Sequence, residues 1–456
     1  MVNRSRIVDC RWRFRLRWQR IPQLRGPAWI KRMKAHFSFG KSGIEASIPD
    51  GFECQTVLSR SASALTDEAA ALERALDHPI GCEPLTALAA GKCSAALSVC
   101  DITRPAPNSI TLPPLLRRLH QAGIPVDGIT ILIAAGLHRA ATREEIDRIV
   151  GPEIAAAYRV VNHDARDLAQ HRWLGASGRG TPVHIDERFM AADLHITLGF
   201  VEPHMMLGFS GGRKLVAPGL AARETIQAIH APRFIREPLA KEGSIAGNPL
   251  HQELMEIAGM ARHDFILDVT LTRERKISGV FAGHPVMAHA AAVEFLERTS
   301  LETLSGLADA AITSGAGYPL DLTFYQTIKG FMAAQHIVKP GGRILVLGEC
   351  AEGIGSPEFT RQLANYRGHR SYLDELLRSE VEIDQWQLEK LALAGLKHEL
   401  LFYTPRVART QMGSLGARAF DDLSEAIAAV LDGLPAGARV ALMPEGPYTY
   451  ARASVS

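Results

Sequence analysis

Between Leu194 and His230 the sequence changes its periodicity twice, and few folds accommodate that order of events. Leu194, Ile196, Leu198 and Phe200 alternate with polar or small residues, the period-2 mark of a half-buried strand. A loop follows with Glu202-Pro203-His204 and the glycines Gly208, Gly211 and Gly212, and then a helix-like tail, Arg223 to His230. Strand, Gly-rich loop and helix in that order make the repeating unit of an open α/β sheet, whose ligand sites lie outside the carboxyl ends of its strands. His204 is therefore expected in a ligand-facing loop. The glycines let backbone approach a ligand closely, with Arg213 and Lys214 at its edge. The loop is not a nucleotide-triphosphate loop, because Arg precedes Lys and no Gly-Lys-Ser/Thr follows.

The same unit recurs along the chain. Ala95–Val99 reads as a short buried strand running straight into Asp101-Ile-Thr-Arg104-Pro. Asp101 and Arg104 can meet a ligand there or simply pin the loop to itself. Gly128–Ala135 is a second strand, and His138 falls between it and a helix that begins near Arg143, where Thr142 and Glu145 have capping-box spacing. Thr66 to Leu76 is a further helix, and Phe265–Leu271 a further strand. His163, Asp164 and Asp167 read as a structural turn, and His184 and His195 as polar-face residues of strands. After an alanine-rich helix around Val286–Arg298, strand-then-helix units resume at Asp309–Thr313, Arg343–Leu347 and Arg439–Met443. In the first of these units Tyr325 and Lys329 stand four apart, on one helix face beside Gln326.

The chain thus divides into an α/β unit over 34–285 and a second over 286–456, with the final strand a candidate to return to the first unit. Residues 1–33 differ from both. They hold ten Arg or Lys against Asp9, a balance of 10 − 1 = +9, so the rest of the chain is 2 − 9 = −7. Arg11, Arg13, Arg15 and Arg17 alternate with aromatic and apolar residues, as in an arm for nucleic acid or a membrane surface. The plainer reading, an upstream extension that is disordered or absent from a native protein starting at Met33, is preferred. The −7 body gives no reason to expect nucleic acid or an anionic membrane as a partner, and it holds no apolar run of transmembrane length. Its cysteines are dispersed without a CxxC pair, which favours free thiols in a reducing, cytoplasmic compartment and disfavours a thiolate metal site.

The residues from Gly199 to His230 resemble the signature of the nickel-pincer-nucleotide lactate racemase family. In that family a histidine precedes the cofactor-tethering lysine by ten residues and a nickel-ligating histidine follows it by sixteen; His204, Lys214 and His230 keep both intervals. The likeness extends over most of the chain from about Met33, through Asp101-Ile-Thr-Arg104-Pro, Gly136-Leu-His138-Arg and Tyr325-Gln326-Thr-Ile-Lys329-Gly. It implies two α/β domains with the active site in the cleft between them. It implies a nickel pincer nucleotide (pyridinium-3,5-bisthiocarboxylic acid mononucleotide nickel) tethered at Lys214, with His230 on nickel and Asp101, Gly211, Gly212 and Tyr325 around the cofactor. It further implies His138 and His204 as acid/base groups, and Arg104, Gln326 and Lys329 against the substrate. The expected activity is racemisation or epimerisation of a small α-hydroxy acid, with cofactor-biosynthesis enzymes as partners. Two other readings stay open at this point: a metallohydrolase with His138, His204 and His230 on zinc, and a non-catalytic binding paralogue.

Overall fold

A computed structural model describes residues 32–412 and 415–454; the basic segment before Arg32 lies outside the described residues, and so does the expectation placed on it. Two six-stranded sheets organise the chain. The first runs, edge to edge, Ile277–Gly283, Phe265–Leu271, Leu194–Phe200, Ala95–Cys100, Ile129–Ala134 and Arg159–Asn162. Its strands are parallel except Ile277–Gly283, which turns back antiparallel. The second runs Arg418–Phe420, Glu399–Tyr403, Val338–Leu347, Ala308–Ser314, Arg439–Met443 and Glu53–Thr56, parallel throughout. Parallel strands need crossovers, and the crossover helices cover both faces.

That covering explains why Leu194–Phe200 is buried along its whole length rather than on one face. The polar members of its alternation sit beneath a second layer and find hydrogen-bond partners there, though His195 Nε2 is left without one. His195 Nδ1 lies 2.9 Å from the Arg262 carbonyl, and Thr197 Oγ1 lies 3.0 Å from His263 Nε2. His195 is therefore a core residue. His163 is too: its ring bridges Asp186 at 2.9 Å and the Ala221 carbonyl at 3.1 Å, as a structural turn requires.

The beginning of the chain, not its end, crosses between sheets. The hairpin Arg32–Phe37 and Ile44–Pro49 packs Phe37, Ala46 and Ile48 with Ile312, Leu345 and Val430 of the second unit. Glu53–Thr56 then extends the second sheet beside Arg439–Met443. Arg439–Met443 itself stays inside that sheet, and only the tail beyond it touches the first unit, where Tyr450 meets Phe209 edge-on at 5.7 Å. Four-residue edge strands carry no local mark of the sheet they will join.

In the second unit the helix Phe324–Ala334 follows the central strand Ala308–Ser314, with Thr323 capping its first turn. Gly330 lets the helix lie directly on that strand: a Cβ there would collide with the Ser314 carbonyl oxygen, which is backbone and cannot swing away. Gly330→Ala is expected to destabilise the protein by about 1–3 kcal/mol through overpacking, read as a lowered midpoint in thermal denaturation.

Candidate functional site

The carboxyl ends of both sheets open on one cleft of about 1230 Å³. Asp101, Arg104, His138, His204, Gly211, Lys214, His230, Tyr325, Gln326 and Lys329 all line it. They arrive from separate elements. Asp101 and Arg104 follow the strand Ala95–Cys100, and His138 follows Ile129–Ala134. His204 and Lys214 come from the loop after Leu194–Phe200, and His230 ends the helix Arg223–Ile229. The second unit supplies Tyr325, Gln326 and Lys329 from the first turns of its capped helix. Gly212 and Arg213 do not face the cleft. Gly212 donates its N–H to Asp268 Oδ2 at 2.8 Å, and Arg213 is buried, donating to the Phe209 carbonyl at 2.9 Å and pairing with His289 at 2.8 Å.

His138 and His204 are held in different ways. His138 Nδ1 lies 2.8 Å from Asp101 Oδ2, while Thr103 donates to the other carboxylate oxygen at 2.8 Å. Burial would raise the Asp101 carboxyl, but its bond to His138 and the nearby Arg104 charge outweigh this and keep it below its ordinary value. An ionised Asp101 fixes the His138 proton on Nδ1 and leaves Nε2 with its lone pair free. His204 is the reverse. Its Nδ1 accepts from the backbone N–H groups of Met206 and Leu207 at 3.3 and 3.2 Å, so neutral His204 carries its proton on Nε2. Burial and the neighbouring Lys214 and Lys329 push His204 well below its ordinary value and keep it neutral. One histidine thus keeps an Nε2 lone pair free and the other an Nε2–H hydrogen-bond donor.

Lys214 sits on a short 3₁₀ turn, Gly212–Leu215, stapled from below by Asp268. Gly211 precedes it at φ 83°, and a side chain there would press on the Asp268 carboxylate. Burial, with Arg104 nearby, lowers the Lys214 amine from 10.5 to about 7. Burial and the charges of Arg104 and Lys214 push Lys329 well below its ordinary value as well. Arg104 stays cationic because Asp101 and Glu202 outweigh the cost of its burial.

His230 Nδ1 bonds to the Ile226 carbonyl at 2.7 Å, which leaves its Nε2 lone pair available to a metal. Burial lowers its pKa to about 4, so the ring is neutral at physiological pH. The Trp386 ring lies 4.3 Å from it, and the Trp386 indole donates to the Tyr325 hydroxyl at 3.0 Å. Trp386 and Asp384 come from the second unit and line the cleft, and Glu202 lines it from the first; no motif singled out these three or Asp268. Their positions are set by contacts distant in sequence, among them the Arg236–Glu389 pair at 2.5 Å that clamps the two units together.

Among the described residues no set of three His, Cys, Asp or Glu side chains converges as a metal site, so His138, His204 and His230 do not form a zinc triad. No helix among them is long and apolar enough to cross a membrane. A two-unit α/β protein that brings histidines, buried lysines and an arginine into one cleft between its sheets has the architecture of α/β enzymes that act in such clefts.

Comparisons with known proteins narrow that class. Residues 39–243 match the lactate racemase N-terminal domain and residues 305–448 the lactate racemase C-terminal domain. The chain is 33% identical over 414 residues to the lactate racemase of Thermoanaerobacterium thermosaccharolyticum, covering 90% of this chain and 96% of that one. It is likewise 33% identical over 414 residues to the lactate racemase of Lactiplantibacillus plantarum, covering 90% of this chain and 97% of the relative. The structure of the lactate racemase apoprotein from T. thermosaccharolyticum superposes with a TM-score of 0.84 at 32% identity, over 92% of this chain and all of that one. A Thermotoga maritima protein shares the fold, with a TM-score of 0.63 at 17% identity. The chain belongs to the lactate racemase family, and it is an isomerase. The resemblance carried by His204, Lys214 and His230 is one of membership.

Proposed function

We propose that this chain racemises or epimerises a 2-hydroxy acid by reversible hydride transfer, with His138 and His204 working on opposite sides of the reacting carbon. The observation that carries this reading is the convergence of the two differently held histidines on one cleft with Lys214, Arg104 and Lys329. The residues present fit a nickel pincer nucleotide. Lys214 has an amine lowered to about 7, so a substantial share is unprotonated near neutral pH, as a tether requires. His230 offers one imidazole nitrogen, and no cluster of protein donors completes a metal site around it, as expected if the remaining donors belong to the bound group. When bound there, the nickel pincer nucleotide supplies the hydride acceptor and donor.

The chain's own residues do the rest. Arg104 and Lys329 hold the substrate carboxylate, and Gln326 donates to its oxygens. A bound carboxylate restores to Lys329 the proton that burial removes. His138 Nε2 accepts the hydroxyl proton and returns it to the oxygen after the hydride has come back, while His204 Nε2–H stabilises that oxygen by a hydrogen bond from the other side. Apolar walls from Phe200, Leu215 and Ile226 keep water from the ketone stage. The cytoplasm is the proposed location, and enzymes that build and load the cofactor are the proposed partners.

Protein produced together with cofactor-building enzymes tests this reading by intact mass, nickel content and racemisation of enantiopure lactate and other 2-hydroxy acids. An adduct on Lys214 with about one nickel per chain is expected. His230→Ala is expected to lose most of the nickel while keeping the adduct. Zinc in place of nickel, with hydrolysis and no racemisation, would favour the metallohydrolase. Neither adduct nor turnover would leave a binding paralogue.

A further inference from the structure

Beside the main cleft lies a second chamber of about 650 Å³. The two share the side chains of Arg104, Glu202, His204, Met205, Lys214 and Lys329, so the chamber opens at the groups that flank the reacting carbon. Its walls also include Leu320, Met332 and Ala333, all buried, together with Glu242 and Tyr448. Glu242 is nine-tenths buried, with the Arg452 charge nearby and its carboxyl making no side-chain hydrogen bond among the described residues. A buried polar group without a partner is costly, and a ligand atom that satisfies it gains accordingly. Burial raises the Glu242 carboxyl to about 8, so at neutral pH it can both donate and accept.

We propose that this chamber receives the substituent on the substrate's α-carbon, and that the preferred substrate is a 2-hydroxy acid with an aliphatic chain of several carbons ending in an uncharged hydrogen-bonding group. The assignment rests on the hydroxy-acid reading above and deepens it. A methyl group takes about the space of one water, ~30 Å³, and the chamber has room for more than one such group. Met205, Leu320, Met332 and Ala333 suit methylenes, and the methionines can adjust to the chain's shape. Glu242 then meets the far end. A second carboxylate or a phosphate is disfavoured there, because it would face Glu202 while Arg104 and Lys329 are engaged by the substrate's own carboxylate.

Four substrates offered to the cofactor-loaded enzyme decide the matter: lactate, 2-hydroxypentanoate, 2,5-dihydroxypentanoate and 2-hydroxypentanedioate. Filling an apolar chamber with added methylenes is expected to raise kcat/KM at least about tenfold over lactate for both pentanoates. The terminal hydroxyl is expected to add to this, and the dianion to fall below lactate. Glu242→Leu should reverse the order of the two pentanoates, with 2-hydroxypentanoate as the internal check that the variant folds, while Glu242→Gln should keep the original order. Lactate equal to or better than the pentanoates, or the dianion best of all, overturns the assignment and leaves the hydroxy-acid reading standing. An unchanged order in Glu242→Leu removes Glu242 from it. Turnover of none of the four, by enzyme shown to carry the Lys214 adduct, overturns the hydroxy-acid reading itself.

Discussion

Lys214→Ala is expected to carry no covalent adduct and to lose about four orders of magnitude of activity or more, the scale on which removal of an essential catalytic unit acts. Lys214→Arg is expected to fail equally, because it restores the charge and not the nucleophilic amine; activity in Lys214→Arg would show that the residue acts electrostatically. The wild-type amine should also show its environment directly. Its pKa is lowered from 10.5 to about 7, chiefly by burial and then by Arg104. A lowered lysine pKa means that the neutral form gains as pH rises through about 7 rather than through the ordinary lysine range. Reaction of Lys214 with a small acylating reagent, mapped by peptide mass between about pH 6 and about pH 9, should therefore rise early and level off, while exposed lysines are still climbing at the top of the range.

His138→Ala is expected to lower kcat by about two to four orders of magnitude, the usual contribution of a positioned acid/base group. The adduct and the nickel should remain, since His138 reaches neither Lys214 nor His230 by any hydrogen bond, and its ring is anchored through Asp101. Asp101→Asn should reproduce part of this loss, about tenfold to a hundredfold, by releasing the His138 proton from Nδ1. That variant separates orientation from chemistry: the adduct and the nickel should be retained while kcat falls. His204 is expected to respond in another way. His204→Asn keeps an N–H donor and should retain more activity than His204→Ala, whereas His138→Asn should retain no more than His138→Ala. Equal losses across both pairs would remove the division of labour inferred from the hydrogen bonds at His204 Nδ1.

Much of the site was legible in the sequence because its parts are local. His204, Lys214 and His230 lie within one strand–loop–helix unit, and the intervals between them are fixed by chain length alone. Asp101, Arg104 and His138 lie directly after buried strands, where an α/β sheet exposes its loops. The capping box at Thr142 and Glu145 formed as its spacing predicts, because both bonds close within one helical turn. Tyr325, Gln326 and Lys329 needed the family resemblance as well, since a lysine on a helix face looks the same whether it meets solvent or substrate.

Other features depended on contacts between distant residues. The sequence could not show that Glu53–Thr56 joins the second sheet, because a four-residue edge strand is stabilised by its partner Arg439–Met443 and not by its own pattern. It could not show that Gly212 and Arg213 turn away from the cleft, because that choice belongs to Asp268, fifty-six residues after Gly212, and to His289. Nor could it place Trp386 against His230 or Glu242 on the wall of a second chamber. By itself the sequence determined the order of elements, which follows from periodicity along the chain, and the family, through the resemblance carried by His204, Lys214 and His230. Only the tertiary structure decided which nitrogen of each histidine faces the cleft, which lysines give up their protons and how far the substrate space extends, because burial and hydrogen-bond direction are properties of groups brought together by packing.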